Sequence, residues 1–447
     1  MLLVITGVIL LTKRLPAELD GIRKRKPLFS LAWLLLALVS LLLITRLSVF
    51  MIDPVQTQYS LFPGDQWFTE HCCLTAYNES ARLLSEGEKN IYKKELYFGE
   101  EFKTNKEFRR KLDGFNVDLY HYPPPFLLLP IIARAIVGGN FLDLRMFWFA
   151  LSLSTLMLAI GLIFYRLEPE RRLRMIGMSP LILCSMPVLS GLQMLNVQII
   201  IIAISIIAMA LISRQHVIGS ALVAASSVAK IFPGILFVYL IAQRKFKEAV
   251  WVGSFAIVLF IITFIVVGPN PFLAFIQFEL PQLSSGEAFS GPFSRAFAVA
   301  RNMAPFGIPL KLSWLGVPNM TLEIGRIVSS IYLLIVLALA IFSGRQQPRS
   351  NTEMISVWLS LISLGSLVSP FAPANYVLVS LIILVCLNRE FFSVWAVLII
   401  WLIICLPFFI SREALFLIQA LSFLPSQILA IGVPGLILYR AGKRTKQ

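Results

Sequence analysis

Two ionisable side chains stand out because of the residues that surround them. Asp65 follows Gly64 and precedes residues 67–84, in which apolar residues recur with a helical period. A carboxylate there suits a general base that removes a proton from a hydroxyl group, and it equally suits the N-cap of the helix. Lys230 lies inside an apolar stretch, where a charge is costly and usually lines a cavity or binds an anion. The sequence thus offers a candidate base and a candidate anion ligand.

The composition indicates that a membrane protein holds these residues. Of the 447 residues, 57% are hydrophobic and only 14% are charged, whereas a soluble domain has about 25% charged residues. Residues 249–278 contain no ionisable side chain, and roughly 20 such residues are enough to cross a bilayer. The apolar runs are continuous rather than alternating, so we expect an all-α fold and no membrane barrel. The net charge is +15. The Lys and Arg residues responsible for it are expected in cytoplasmic loops, so nucleic-acid binding is not expected.

The distribution of charge predicts a polytopic transmembrane helix bundle of about twelve spans in one domain, residues 1–447. The first strong span, residues 28–52, follows a basic stretch and therefore begins in the cytoplasm. It leads into a large extracytoplasmic loop, residues 53–121, which holds 12 of the 24 acidic residues. A second extracytoplasmic loop is predicted at residues 269–321. Later spans are predicted at residues 144–165, 176–190, 197–212, 250–267, 324–342, 355–368, 376–387, 392–410 and 415–439.

Two apolar stretches are not expected to form a single membrane span each. Basic residues follow the span at 144–165, so the preceding stretch, residues 122–138, is expected to be re-entrant or interfacial. Both flanks of residues 217–242 have cytoplasmic character, so this segment is expected to enter and return as two short helices. Residues 229–234 contain Pro and Gly and suit the turn between them, which places Lys230 near the outer face.

Several short motifs occur in order along residues 28–380. They are Gly64-Asp65 with Leu83-Leu84-Ser85-Glu86-Gly87, Tyr120-His121-Tyr122-Pro123-Pro124, Gly191-Leu192-Gln193-Met194-Leu195-Asn196, Lys230-Ile231-Phe232-Pro233, and Ser369-Pro370 with Asn375. This series resembles the polyprenyl-phosphate-sugar-dependent glycosyltransferases of the GT-C superfamily. The branch that it resembles contains phosphatidylinositol-mannoside α-mannosyltransferases and arabinofuranosyltransferases. Three departures are an extra charged stretch at residues 88–116, two residues inserted in the element Gly191 to Asn196, and Asn375 where many relatives have a histidine or a tryptophan-linked residue.

The resemblance implies a GT-C-type fold and an inverting transfer of sugar from a polyprenyl-phosphate carrier to an extracytoplasmic lipid or glycan. Mannose is the first expectation and arabinofuranose the second, so the enzyme is a hexosyl- or pentosyltransferase. Asp65 takes the place of the family's catalytic base, with Asp53 and Asp118 as alternatives. The leaving phosphate needs cations, for which the candidates are Lys230, Arg295 and Arg301. Candidate contacts to donor or acceptor are His121, Tyr122, Gln193, Asn196 and Asn375.

Each of these candidates also has a purely structural interpretation. Lys230 can extend to the membrane interface, and the two arginines can be solvated loop charges. Gln193 and Asn196 can serve as polar contacts between helices. At the level of function, the alternative is a transporter or flippase of lipid-linked sugars, which would need polar groups near the middle of the membrane. A further alternative is another GT-C transfer, onto lipid A or protein.

No cofactor and no metal site are expected. His71, His121 and His216 are far apart in sequence, and the adjacent Cys72 and Cys73 lack the spacing of zinc ligands. The expected partners are the polyprenyl-phosphate sugar, a lipid or glycan acceptor and membrane lipids. We expect an integral protein of the bacterial inner (plasma) membrane with its active site facing outside.

Overall fold

A computed structural model describes residues 27–99, 110–167, 169–388 and 392–443. The described chain is 76% helical with almost no sheet, which is consistent with the predicted all-α class. The helices are α1 Pro27–Ile52, α2 Gln66–Glu70, α3 Leu74–Ser85, α4 Glu95–Phe98, α5 Leu128–Val137, α6 Phe141–Arg166, α7 Pro169–Leu183, α8 Met186–Gln193, α9 Gln198–Ile212, α10 His216–Ala229, α11 Ile235–Ala242, α12 Phe246–Val267, α13 Asn270–Ala274, α14 Leu280–Ser285, α15 Ser290–Phe293, α16 Ala296–Ala300, α17 Gly307–Trp314, α18 Leu322–Gly344, α19 Asn351–Ser366, α20 Ala374–Val377, α21 Val379–Leu387, α22 Val394–Cys405 and α23 Phe416–Lys443. Two short strands, β1 Lys111–Leu112 and β2 Phe115–Asn116, pair antiparallel, with Lys111 opposite Asn116.

Among the described residues, five helices are long and apolar enough to cross a membrane: α1, α6, α12, α18 and α23. A sixth is added if Met175–Leu183 and Met186–Gln193, which meet at a 50° bend, form one span. The remaining apolar helices have 10–17 residues. A helix of 15 residues reaches about 22 Å, which is less than the roughly 30 Å hydrocarbon core of a bilayer. The predicted number of about twelve crossings is therefore not confirmed, because several apolar runs form short helices buried between the long ones.

The two predicted short helices at residues 217–242 are present. Helix α10 ends at Ala229, and α11 begins at Ile235, with a short 3-10 turn, Phe232–Gly234, between them. Lys230 lies in the break in an extended conformation. The sequence predicts this break because Pro and Gly interrupt the helical hydrogen bonding.

The helix predicted at residues 67–84 is wrong as a single element. The structure has two helices, α2 and α3, with a break at residues 71–73. At the break, the backbone N–H of Cys73 donates to the carbonyl of Met194 at 2.9 Å, and His71 forms a parallel β-bridge with Asn116. The apolar residues keep their helical spacing through the break. The sequence therefore does not predict the change of direction, which depends on these bonds to distant residues.

Arg145 of α6 ties the first predicted loop to the bundle. Its side chain is fully buried, and Nη1 donates to the carbonyls of Phe50 at 2.6 Å and Met51 at 2.9 Å. Those carbonyls belong to the C-terminal turn of α1, where a positive charge is stabilising. The guanidinium also lies 4.6 Å from the ring centroids of Phe50 and Phe115. The end of α1 and the hairpin are thus held by one cation.

The close contact of α9 and α10 gives a first test of this packing. A Cβ atom at Gly219 would lie 2.5 Å from the Cα atom of Ile212, and backbone atoms cannot move aside cheaply. We expect Gly219→Ala to destabilise the protein by about 1–3 kcal/mol and to lower its melting temperature in detergent, measured by fluorescence-detected gel filtration. Gly253→Ala in α12 is the matched control, because a Cβ atom there meets nothing within 4 Å. Equal melting temperatures for the two variants would contradict the described contact.

Candidate functional site

The five-residue helix α2 carries a candidate functional side chain at each end. Asp65 is its N-cap, and Oδ1 accepts a hydrogen bond from the backbone N–H of Trp67 at 2.9 Å. His71 is its C-cap, six residues further on, which corresponds to about 9 Å along a helix axis. The capping interpretation of Asp65 is therefore confirmed. Capping occupies Oδ1 and leaves Oδ2 available to other partners.

Gln193 of α8 attaches α2 to the bundle. Its Oε1 accepts the backbone N–H of Leu61 at 2.7 Å, and its Nε2 donates to the carbonyl of Phe68 at 2.6 Å. The side chain is buried. Both ends of the amide are thus engaged on either side of Asp65, and the structure supports the packing interpretation of Gln193.

At the N-terminal end of α2, Asp65 pairs with Arg412 from the loop before α23. The Nε atom of Arg412 lies 2.7 Å from Oδ2 of Asp65. The guanidinium also lies 4.3 Å from the ring centroid of Trp67 and 4.7 Å from that of Phe297. Burial lowers the pKa of Arg412 to about 10 while Asp65 opposes the shift, so this arginine is positively charged at neutral pH.

Arg301 adds a second cation near the same carboxylate and, unlike the half-buried Arg412, it is buried. Only 6% of its surface is exposed, and burial lowers its pKa to about 10 while Asp65 opposes the shift. Within the described residues, Nη1 of Arg301 and Nη2 of Arg412 are buried N–H groups without a hydrogen-bond partner. Leaving a buried donor unpaired costs about 1–3 kcal/mol. Arg295, the other arginine predicted from the sequence, is exposed and close enough to Arg412 to lower its pKa further.

At the C-terminal end of α2, His71 stands between a carboxylate and a thiol. Its Nδ1 lies 3.4 Å from Oδ2 of Asp118, and its Nε2 lies 3.6 Å from Sγ of Cys73. The imidazole is stacked on the ring of Trp67, with centroids 4.5 Å apart and planes at 12°. Burial alone lowers the pKa of His71, but Asp118 and Cys73 outweigh it and raise the pKa to about 10. His71 is therefore a cation at neutral pH.

Lys230 lies beside the His71 cluster. Its ammonium group is 5.5 Å from the ring centroid of Tyr122 and 5.7 Å from that of Tyr376, and it is close enough to Cys73 to interact electrostatically. Among the described residues, no carboxylate lies within ion-pairing distance of Lys230. The hydroxyl of Tyr122 is hydrogen-bonded to that of Tyr77 at 2.9 Å. Lys230 thus points into the folded site with its charge unpaired.

The two predicted asparagines take part in contacts around this cluster. Nδ2 of Asn196 donates to Sγ of Cys73 at 3.3 Å, and its Oδ1 accepts the N–H of Gln198 at 2.9 Å. Asn375 is buried, and its Nδ2 contacts Sδ of Met194 at 3.5 Å. Asn196 therefore orients the thiol of Cys73, while Asn375 packs against the segment that leads to Asn196.

His121 joins the two predicted loops. Its Nδ1 lies 2.7 Å from Oε1 of Glu279, whose side chain is buried, and its ring lies 5.4 Å from that of Phe289. Residues 53–121 and 269–321 are therefore in direct contact. Because Asp65 also reaches Arg412, and Lys230 reaches Tyr122, the predicted polar segments meet at one end of the bundle.

One cluster has the residue types of a metal site. The donor atoms of His71, Cys73 and Asp118 all lie within 4.8 Å of one another, and zinc takes all three ligand types. Spacing along the chain does not predict this grouping, because Asp118 is 45 residues from Cys73 in sequence. Two features favour ion pairing over metal binding: each ring nitrogen of His71 already has a partner, and the ammonium of Lys230 near the thiol repels a second cation.

Sequence reasoning missed Arg412 and the role of His71. Arg412 and Glu413 form a short charged segment between two predicted apolar spans. A charged pair in so short a connection was the available signal. His71 carries no comparable local signal, because its partner Asp118 lies in a distant part of the loop.

The bridge made by Gln193 generates a second test. Replacing Gln193 with Leu leaves a backbone N–H and a carbonyl without partners, so we expect a loss of about 1–3 kcal/mol in stability and a lower melting temperature. Gln198→Leu is the matched control, since the amide of Gln198 is buried and its nitrogen and oxygen have no hydrogen-bond partner among the described residues. That variant is expected to retain or raise the melting temperature. A reversed order of the two variants would overturn the anchoring role.

The ion pairing of His71 predicts a pH dependence. Its pKa is about 10 in the folded protein against an ordinary 6.5, so its stabilising effect is complete below pH 6.5 and disappears as the pH rises through 10. We expect the difference in melting temperature between wild type and His71→Gln to be largest near pH 6.5 and to shrink toward pH 10.5. His216→Gln controls for loss of a histidine elsewhere. A difference that stays constant over this range would contradict the pairing with Asp118.

The model of glycosyltransferase family 87 matches residues 120–370, which include Lys230 and Arg301. No curated protein and no solved structure matches the chain. The family result favours an enzyme over the transporter alternative, and the long apolar helices accord with an integral membrane protein. Because the match covers more than half of the chain, the protein belongs to glycosyltransferase family 87, a GT-C-type family of membrane glycosyltransferases.

Proposed function

We propose that this membrane glycosyltransferase moves a sugar from a polyprenyl-phosphate carrier to a lipid or glycan acceptor, with inversion at the anomeric carbon. The observation that carries the proposal is the position of Asp65 beside the buried Arg301 and the half-buried Arg412, both of which retain buried N–H donors without a partner among the described residues. A transfer of this kind needs a base for the acceptor and hydrogen-bond donors for the departing phosphate. The site offers both next to each other.

In the proposed reaction, Asp65 is the general base. Its Oδ1 is held by the N–H of Trp67, so the carboxylate has a fixed direction. Its Oδ2 removes the proton of the acceptor hydroxyl as the acceptor oxygen attacks the anomeric carbon. The bond between that carbon and the phosphate oxygen breaks, and the electron pair leaves with the polyprenyl phosphate.

The same group of cations is proposed to bind the donor phosphate. Arg301 and Arg412 present donors that lack acceptors among the described residues, and phosphate oxygens are strong acceptors for guanidinium groups. Arg412 is then shared between Asp65 and the phosphate. Arg295 lies at the exposed edge, where it adds positive charge without being buried.

Lys230 is proposed as a further phosphate ligand at the opposite end of α2. Its charge has no carboxylate partner among the described residues, and the rings of Tyr122 and Tyr376 flank it. With Asn196 and His121 nearby in the fold, this side is proposed to contact the donor or acceptor. Mannose is the first proposed sugar and arabinofuranose the second.

A membrane location suits the proposed donor, because an isoprenoid chain is soluble only in the bilayer. We propose the inner (plasma) membrane of a bacterium, with the site on the outer side. Two arguments support that orientation. A basic stretch precedes α1, and the predicted outer segments are in mutual contact, as the pairing of His121 with Glu279 illustrates.

The decisive experiment compares wild type with Asp65→Asn, both purified in detergent. Each receives radiolabelled polyprenyl-phosphate mannose or arabinofuranose together with a membrane-lipid extract. Loss of a general base typically costs 10²- to 10⁴-fold, so we expect a fall in the rate of transfer of about 100-fold or more in Asp65→Asn, with donor binding retained. Asp143→Asn, an exposed position on α6, is the control and should transfer at the wild-type rate.

Two results would overturn parts of this proposal. Equal transfer by wild type and Asp65→Asn, with loss in Asp118→Asn, would move the base to the other end of α2. Transfer by wild type only from nucleotide sugars would reject the polyprenyl-phosphate donor while leaving the family assignment intact.

A further inference from the structure

Cys73 differs in exposure from the other four cysteines of the chain. Those four are buried, whereas Cys73 is half-buried. The backbone N–H of Cys73 donates to the carbonyl of Met194 at 2.9 Å, so the residue has a fixed place at the break between α2 and α3. A dissolved reagent that attacks thiols is therefore expected to reach this sulfur first.

Three nitrogen groups surround the Sγ atom of Cys73. Nε2 of His71 lies 3.6 Å away, and Nδ2 of Asn196 donates to the sulfur at 3.3 Å. The ammonium of Lys230 is close enough to Cys73 for an electrostatic interaction. Each of these groups stabilises negative charge on the sulfur, and the thiolate rather than the thiol is the nucleophile.

Asp118 orients the ring of His71 toward the sulfur. Oδ2 of Asp118 lies 3.4 Å from Nδ1 of His71, and an ionised carboxylate only accepts hydrogen bonds. Nδ1 therefore carries its proton toward Asp118, while Nε2 faces Cys73. A nucleophile beside a base that is in turn oriented by a third group is the arrangement that activates a cysteine.

The start of α3 favours charge on the same sulfur. Cys73 is the N-cap of this 12-residue helix, and its side chain makes no capping hydrogen bond. The N-terminal end of a helix carries partial positive charge, which stabilises a nearby anion. The adjacent Cys72 is in the opposite situation, because burial raises its pKa to about 12. Two neighbouring cysteines are thus expected to differ strongly in reactivity.

We propose that Cys73 is a modification site, where the sulfur reacts with small disulfides outside the cell to form a mixed disulfide. The thiolate attacks one sulfur of the reagent, so that a new S–S bond forms and the old one breaks. The electron pair leaves with the second sulfur, which takes a proton from water. Cys73 is oxidised, and the reagent is reduced to one thiol. Disulfides persist in oxidising compartments, and the outward orientation is a part of the proposed function on which this inference rests.

Modification of Cys73 would place a new group against the proposed phosphate ligand Lys230. The same neighbourhood means that a phosphate bound at Lys230 would cover the sulfur. This link between the thiol and the donor rests on the proposed function, whereas the reactivity of the thiol rests on the contacts of Cys73 alone.

The test follows the modification of each cysteine at neutral pH in the whole protein, purified in detergent. Hydroxyethyl disulfide is the probe, and peptide mass spectrometry gives the rate at each cysteine. We expect Cys73 to react about tenfold faster than Cys72 or more. His71→Gln should slow the reaction of Cys73 roughly tenfold, because an ordinary thiol is only a few per cent ionised at neutral pH.

His216→Gln is the matched control, since it removes a histidine outside the cluster, at the start of α10. Asn196→Ala removes a different donor to the sulfur and should also slow Cys73, so the test does not depend on one variant. Unfolding is recognised by faster reaction of the buried Cys72. Equal rates at Cys73 in wild type, His71→Gln and Asn196→Ala, or a rate in wild type no faster than that of Cys72, would overturn the proposal.

Polyprenyl phosphate, added to wild type in the same measurement, tests the link to the donor. The rate at Cys73 is expected to fall severalfold when this lipid is bound, with diacylglycerol as the control lipid that lacks a phosphate. An unchanged rate would overturn the link to Lys230, while the comparison with His71→Gln still decides whether the thiol is activated. Failure of the proposed phosphate site and failure of the modification site are therefore distinguishable.

Discussion

The indole ring of Trp67 is the contact on which the arrangement of the site depends. The guanidinium of Arg412 lies 4.3 Å from its centroid, and the imidazole of His71 is stacked on it at 4.5 Å. Both groups are cations at neutral pH, and an aromatic face stabilises each of them. The ring thus links the Asp65 end of α2 to the Asp118 end. Gln193 supplies the complementary restraint by fixing the backbone on either side of Asp65.

The site is built at a cost to stability. Arg301 and Arg412 keep buried N–H groups that have no acceptor in the described chain, and such groups are rare in folded proteins because each is destabilising. The oxygens of a phosphate are acceptors of the kind that these donors lack. Preorganised donors of this kind stabilise charge that develops during a reaction, since they need no reorientation at that moment. The unpaired donors thus lower the stability of the fold and are also the groups that can stabilise a developing negative charge.

Local patterns predict much of the fold and less of the site. The apolar runs, the break at Lys230 and the cap at Asp65 follow from neighbouring residues, and all three are present. The count of crossings is not confirmed, because hydropathy does not distinguish a short buried helix from a membrane span. Arg412 and Asp118 reach the site through tertiary packing alone. Their roles were hidden because neither lies near its partner in sequence, whereas Lys230 was noticeable as a charge in an apolar stretch.

The family match covers one part of the proposed site and leaves the other part outside. The match covers residues 120–370 and so includes Lys230 and Arg301, but neither Asp65 nor Arg412. Family membership therefore bears on the bundle and on part of the proposed phosphate site, whereas the assignment of the base rests on the geometry around α2. The segment outside the match also contains the hairpin and the His71 cluster. If acceptor and donor meet at α2, the residues that choose the acceptor are expected in this segment, because it carries the proposed base Asp65 and contacts Arg412 through Asp65 and Trp67.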